Sequence, residues 1–264
     1  EEMMILANVA AAKYIASHNM PLIYRVHDTP RPEKLDELRQ FLEDTSFSLP
    51  KGNVVKPRSF MHLLHSVKDT AQMHVINQMV LRAQCQAIYS PENLGHFGLN
   101  LAQYCHFTSP IRRYADLTIH RALSALIEKS AKLYPYELED LVGIAEEISE
   151  KERRAAKAER ETVDRYATRY LEKSLGKPMT VRVNGITDFA VFVTHEETGA
   201  DGILPLRNIA GDYFVFDPKG QRLLGRSSGH IITMGDTIDV RLENADVMTG
   251  SLLYSTVVEG QPAS

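Results

Sequence analysis

The apolar residues of this chain change their period once, between positions 175 and 178. Before that point they recur at helical spacing; after it they alternate, as in Val181, Val183 and Ile186, Val191 and Val193, and Ile238 to Leu242. A period of 3.6 and a period of 2 cannot share one element, so the change marks a boundary between a mainly helical part and an all-β part. Gly176 followed by Pro178 stops the last helix with the usual C-terminal asymmetry. Glycines from Gly185 to Gly250 then cut the remainder into short strands and tight turns.

Within the first part, residues 1–17 predict a helix whose apolar stripe is Met3, Leu6, Ala10 and Tyr14. Leu22 to Val26 predict a short strand. The turn Asp28-Thr29-Pro30-Arg31-Pro32 feeds a helix with a stripe of Leu35, Leu38 and Phe41. Residues 45–57 read as a loop, Ser59 to Tyr89 as helical, and Ser90 to Gly98 as a second loop. Helical pattern returns from Arg113 to Lys129 and from about Tyr136 to Ser174. Mixed charges from Glu146 to Arg165 there support a solvated face through i,i+4 pairs.

With 44% apolar residues the chain of 264 can fill a core, so wholesale disorder is excluded. Cys85 and Cys105 are the only two cysteines and lie too far apart in sequence for a C-x-x-C pair. That excludes a zinc knuckle, disfavours a disulfide framework and suggests a reducing, cytoplasmic home. No apolar run is long enough to span a bilayer, so no membrane partner is expected. The opening Glu1-Glu2-Met3-Met4 has no basic region of a signal peptide. It begins inside a helical pattern without an initiator Met, as expected of a piece of a longer protein.

The formal net charge of −4 is not the basic footprint of a typical nucleic-acid binder. The charge is also uneven: residues 178–258 hold six Lys and Arg against ten Asp and Glu, and the rest of the chain balances. Any nucleic-acid contact by the β part would have to rest on stacking more than on phosphate neutralisation.

Residues 95–121 are the most specific stretch. They read Gly95-His96-Phe97-Gly98-Leu99, then Tyr104-Cys105-His106-Phe107-Thr108-Ser109-Pro110-Ile111-Arg112-Arg113-Tyr114-Ala115-Asp116-Leu117, then His120-Arg121. Ser109-Pro110 predicts a helix start, with Arg112 and Arg113 in its first turn. The helix dipole disfavours cations there. Either an anionic partner such as phosphate compensates them, which suits the guanidinium fork, or nearby carboxylates do. Tyr114 and Asp116 read as packing and helix-start residues.

Other candidate chemistry is thin. His62 and His65 sit three apart without the Glu of an H-E-x-x-H frame, so they read as ordinary helix residues. Asp236 and Asp239 read as surface residues of a turn and strand. Aspartates are scattered along the chain and never adjacent, so no carboxylate cluster of the kind that holds Mg²⁺ is visible. Ser109 lacks a base that the sequence can identify.

The string from Gly95 to Arg121 resembles the signature of the RNB catalytic domain in the ribonuclease R and ribonuclease II family. Glu1 to Asn8, Tyr24-Arg25-Val26-His27, Arg153-Arg154-Ala155 and Ala158-Glu159-Arg160 are similar in order and spacing. The resemblance continues into Gly185 to Val193, Asp201-Gly202-Ile203-Leu204 and Asp212 to Asp217, which look like an S1-type OB barrel. Ala190 stands where that family usually has glycine, and Pro205 and Arg207 replace a histidine and a serine. The tyrosine and phenylalanine content of the β part leans towards the ribonuclease R branch.

What the resemblance implies is specific. The fold would be α+β: residues 1–176 the mostly helical C-terminal half of an RNB catalytic domain, 177–258 an S1-type barrel, 259–264 a tail. The activity would belong to a processive 3′-to-5′ exoribonuclease that hydrolyses single-stranded RNA to nucleoside 5′-monophosphates. Arg112 would be the catalytic arginine, stabilising charge on the phosphoryl oxygens. Arg113, Glu2 and Glu159 would touch RNA. Phe189, Phe192 and Tyr213 would be stacking platforms, or would in part fill the barrel core. Mg²⁺ would be held by aspartates in the N-terminal half of the same enzyme, so this part alone would be inactive. The alternative is a non-catalytic RNA-binding module.

Overall fold

The computed structural model describes residues 1–257 apart from positions 44, 53, 54, 71 and 219, and without the side chain of residue 131. The chain forms two compact units. The first contains Glu1–Asp36, Pro50–His62 and Arg82–Ala155; the second contains Glu37–Leu49, Leu63–Leu81 and the chain from Ala156 onward.

In the first unit, helix α1 (Glu2–Ser17) turns Asn8, Ala11, Ala12 and Ile15 inward. The expected stripe is therefore on the wrong side: Met3 is 78% exposed and Leu6 61%, and Ala10 and Tyr14 are exposed too. The alanines explain the reversal. This helix is apolar almost all round, and its small face allows close approach to Ala115, Ile119 and Ala122 of α5 (Tyr114–Ile127), in a core shared with Leu141 of α6 (Leu138–Leu171).

Strand β1 (Tyr24–Val26) pairs antiparallel with β2 (Ile88–Ser90), matching Arg25 with Tyr89. The second strand corrects the expected helix through Tyr89. The helical run is instead two helices, α3 (Pro57–Ser66) and α4 (Met73–Ala83), and Ile88-Tyr89 joins a ladder that no local pattern announces. Helix α2 (Pro32–Glu43) buries Leu35 and Leu38 of its expected stripe, but the third buried position is Leu42, and Phe41 is only half-buried. His62 and His65 of α3 are exposed.

In the second unit, five strands close a barrel in the order β10-β5-β4-β3-β9. They are β3 (Pro178–Ile186), β4 (Ala190–His195), β5 (Asp201–Pro205), β9 (Thr237–Asp246) and β10 (Ser251–Thr256). All their pairings are antiparallel except β10 beside β5, which is parallel at Leu253 and Ile203. Val181, Val183, Val191, Val193, Leu204, Val240, Leu242, Leu252 and Tyr254 fill the interior. Gly202 is needed there, because a Cβ would overlap the Tyr254 ring and the Leu252 backbone. Gly176, at φ +74°, turns the chain from the last helical residues into β3, and its N–H donates to Leu242 O at 2.9 Å. A second sheet of three strands, β6 (Phe214–Asp217), β7 (Arg222–Gly225) and β8 (Ile231–Ile232), lies outside the closed ladder.

Candidate functional site

The signature segment builds a polar network in the first unit. Asn8, 3% exposed, donates from Nδ2 to the Tyr104 hydroxyl at 2.9 Å and accepts the Phe107 N–H at 2.9 Å. Those two bonds fix residues 104–107 against α1. The Tyr89 hydroxyl hydrogen-bonds His106 Nδ1 at 2.9 Å. Arg25 lies with its guanidinium 4.7 Å from the Tyr89 ring centre and donates to both carboxylate oxygens of Glu152, at 2.6 and 3.0 Å. Burial, reinforced by the Arg113 and Arg25 cations, pushes His106 down to about 3. Burial, with His27 and Arg25 nearby, pushes His96 down to about 4. Both imidazoles are thereby held in the neutral form and serve as hydrogen-bonding groups.

The two arginines separate in role. Helix α5 begins at Tyr114, not at Ser109-Pro110, and Arg113 is its N-cap with an extended backbone. Residues 110–112 form a turn whose Arg112 and Arg113 N–H groups point at Ser109 O, at 3.4 and 3.2 Å. Asp116, fully buried in the first turn of α5, accepts the Ser109 N–H at 2.7 Å and the Arg113 Nε and Nη2 at 2.8 and 2.7 Å. A first-turn carboxylate that reaches back in this way satisfies the dipole and ties the turn down. Arg113 thus has the carboxylate partner that was one of its two open readings. The expectation that both arginines lie in a first helical turn is corrected, because they precede the helix and Arg113 ties its cap to Asp116. Arg112 is exposed on the braced turn, beside Ile111, which is 97% exposed.

Of the remaining candidates, Glu2 is exposed in the first turn of α1. In the second unit, Glu159 is exposed on α6. Phe189, Phe192 and Tyr213 are all on the surface, at 61%, 38% and 67% exposure. None fills the barrel core. The Phe189 and Phe192 rings meet edge to face with centres 6.2 Å apart. Strict alternation would send Phe189 the same way as the buried Val191. It does not, because Phe189 precedes the strand in a turn closed by Thr187, whose N–H donates to Ala190 O at 2.9 Å. The structure gathers Arg112 and Arg113 on one turn, and Phe189 and Phe192 on one end of the barrel. Glu2 and Glu159 each sit apart on a helix surface.

Sequence reasoning missed the Arg25–Glu152 pair, the neutral histidines and Arg226, whose guanidinium lies 4.9 Å from the Tyr213 ring centre. Only the first had a visible signal, since Arg25 sits between the inward Tyr24 and Val26 of a strand. Among the described residues no three His, Cys, Asp or Glu side chains converge. Asp236 accepts the Thr233 N–H and Asp239 the Thr180 hydroxyl, so both are structural. Among the described residues no helix is long and apolar enough to cross a membrane.

The RNB domain family matches residues 1–129. Ribonuclease R of Escherichia coli strain K12 is 37% identical over 266 residues, an alignment that takes in 97% of this chain. The chain belongs to the RNB family. Ribonuclease R of Thermotoga maritima is 32% identical across 99% of the chain. The structure of Mycoplasma genitalium RNase R without ligand superposes with a TM-score of 0.86 at 28% identity, covering 97% of this chain and 40% of that one. The same enzyme in complex with ribose methylated single-stranded RNA gives the same score. The chain spans about a third of the length of the E. coli relative. The family match begins at the first residue and covers Arg112, Arg113 and Asp116; the whole-chain relatives extend it through the barrel.

Proposed function

We propose that this chain is the RNA-gripping part of a 3′-to-5′ exoribonuclease that hydrolyses single-stranded RNA processively to nucleoside 5′-monophosphates. The observation that carries the reading is the division of labour at the signature turn: Asp116 and Arg113 hold it, which leaves Arg112 free. The braced turn fixes where the Arg112 backbone stands, and the planar fork of its guanidinium suits two phosphoryl oxygens. Arg112 would bind the phosphate near the scissile bond and stabilise the charge that develops there. The exposed Phe189, Phe192 and Tyr213 would stack bases of the incoming strand, which suits an acidic barrel that cannot rely on phosphate neutralisation. Glu2 and Glu159 would flank the strand. A relative solved in complex with single-stranded RNA supports this substrate class.

Hydrolysis in this reading needs Mg²⁺ held by aspartates outside this chain, in the N-terminal half of the same enzyme. In domain terms, residues 1–176 are the C-terminal half of the catalytic domain and 177–258 the S1-type barrel.

The test is incubation of 5′-labelled single-stranded RNA with Mg²⁺ and the chain alone, and with Arg112→Ala. The expected result is salt-sensitive retention without cleavage, weakened in the variant. Stepwise shortening from the 3′ end would overturn the claim that the metal site lies elsewhere. Absence of any retention would overturn the RNA-gripping role. If adding the N-terminal half restores no cleavage, the chain is a binding module rather than part of a nuclease.

A further inference from the structure

The hairpin of β6 and β7 carries a feature that the barrel does not. Tyr213 stands just before β6 and Arg226 just after β7, and the Arg226 N–H donates to Tyr213 O at 3.0 Å. Asp212 braces the same point. It accepts the N–H groups of Tyr213, Ser227 and Ser228 at 2.6, 3.0 and 2.7 Å, and the Ser228 hydroxyl at 2.6 Å. Gly225 must lack a side chain for this to happen, since a Cβ would stand 2.5 Å from the Asp212 carboxylate. The guanidinium of Arg226 lies 4.9 Å from the Tyr213 ring centre and has no ion-pair partner among the described residues.

An open cavity of about 470 Å³ adjoins this pair, lined by Asp188, Tyr213, Val215, Phe216, Pro218 and Arg226 among others. Asp188 lies on the turn that also carries Phe189, is exposed, and has no hydrogen-bond or ion-pair partner among the described residues. The cavity thus presents an aromatic ring, a cation and an acceptor-only carboxylate. Aromatic rings stack any base, so Tyr213 alone would be indifferent to sequence. The two charged groups are not indifferent. Guanine offers two adjacent donors on its Watson–Crick edge and two acceptors, O6 and N7, on the opposite edge. Carboxylates and guanidiniums match these respectively. Uracil sets a carbonyl oxygen on each side of its single ring donor, which a carboxylate repels.

We propose that the Tyr213–Arg226–Asp188 cavity is a subsite for one guanine base of single-stranded RNA, distinct from the Phe189–Phe192 pair. It rests on the RNA-gripping reading above and adds to it a base preference and two residues, Asp188 and Arg226. The strand would meet an indifferent aromatic pair on the barrel and a selective base pocket on the hairpin.

The test uses the 264-residue chain and two fluorescein-labelled oligonucleotides, an all-uridine strand and the same strand with one central guanosine, read by anisotropy. The guanosine is expected to tighten binding by about fivefold or more, the discrimination of one good bidentate pair. Asp188→Asn should bring the ratio of the two affinities towards one, with an unchanged melting midpoint to show that the barrel is intact. Phe192→Ala should weaken both strands and leave the ratio as it was. Equal binding of both strands by the native chain, or a ratio that survives Asp188→Asn, overturns the guanine subsite alone. Binding of neither strand overturns the RNA-gripping reading and the subsite together.

Discussion

Replacing Asp116 by Ala should cost far more than an average surface change. Its side chain is fully buried, that of Arg113 is 19% exposed, and three hydrogen bonds end on the one carboxylate. The variant leaves a mostly buried cation and the Ser109 N–H without their acceptor. Removing one member of a buried pair costs about 3–5 kcal/mol. The residual exposure of Arg113 lets water reach part of the guanidinium, which places the expectation near the lower end, about 3 kcal/mol. With a urea slope of about 2 kcal/mol/M, the midpoint should fall by about 1.5 M. Urea unfolding followed by far-ultraviolet circular dichroism reads this directly. The double variant Arg113→Met, Asp116→Leu should recover the part of the loss owed to the unpaired charge, leaving only that of the Ser109 N–H without its acceptor. A loss below about 1 kcal/mol for Asp116→Ala would mean that the pair contributes no more than a surface ion pair. The turn under Arg112 would then owe its shape to something else.

Arg112→Ala should leave the melting midpoint within a degree or two and lower the dependence of RNA retention on salt by about one phosphate contact, measured between about 50 and 200 mM salt. Arg113→Ala should do the reverse, losing stability first. Stability should also fall with acid on account of His106. Its neutral native form, held down to about 3, confers stability that is complete above the ordinary histidine value of about 6.5 and is lost as pH falls from there towards 3. The slope is at most about 1.4 kcal/mol per pH unit for this group, and the gap between urea midpoints at about pH 7.5 and about pH 5 should narrow in His106→Gln, with the remainder owed in part to His96. Gly202→Ala should destabilise the barrel by about 1–3 kcal/mol, because the added methyl meets the Tyr254 ring inside a filled interior. A melting curve that does not move would refute that packing.

The parts of this molecule that sequence predicts well are those where one pattern has one physical reading. The alternation of Val181 and Val183 predicts strand because both side chains must reach the same interior, and Gly176 before Pro178 predicts the end of a helix. The signature segment was legible as a family resemblance, but its geometry was not. Ser109-Pro110 looks like a helix start, yet Asp116 reaches back past Arg113 and holds the preceding turn open. The inward face of α1 was illegible because Ala11 and Ala12 carry little hydrophobic weight while allowing the closest approach. The strand at Tyr89 was illegible because its partner, Arg25, is more than sixty residues away in sequence. Arg226 gave no signal at all, since its value comes from a backbone contact with Tyr213 across a hairpin.

The closing strand of the barrel has a consequence for how the protein is made. The last strand, β10, is the one that seals the ring, pairing with β9 on one side and with β5 on the other. No earlier portion of the β part can close without it. A ribosome adding about 5–20 residues per second takes roughly 4–16 s to travel from Pro178 to Thr256. Through that interval the valine-rich strands β3 and β4 lack the strand that closes their ring. A ribosome stalled before Ser251 should therefore leave a product with an unclosed barrel and open strand edges, which is expected to aggregate.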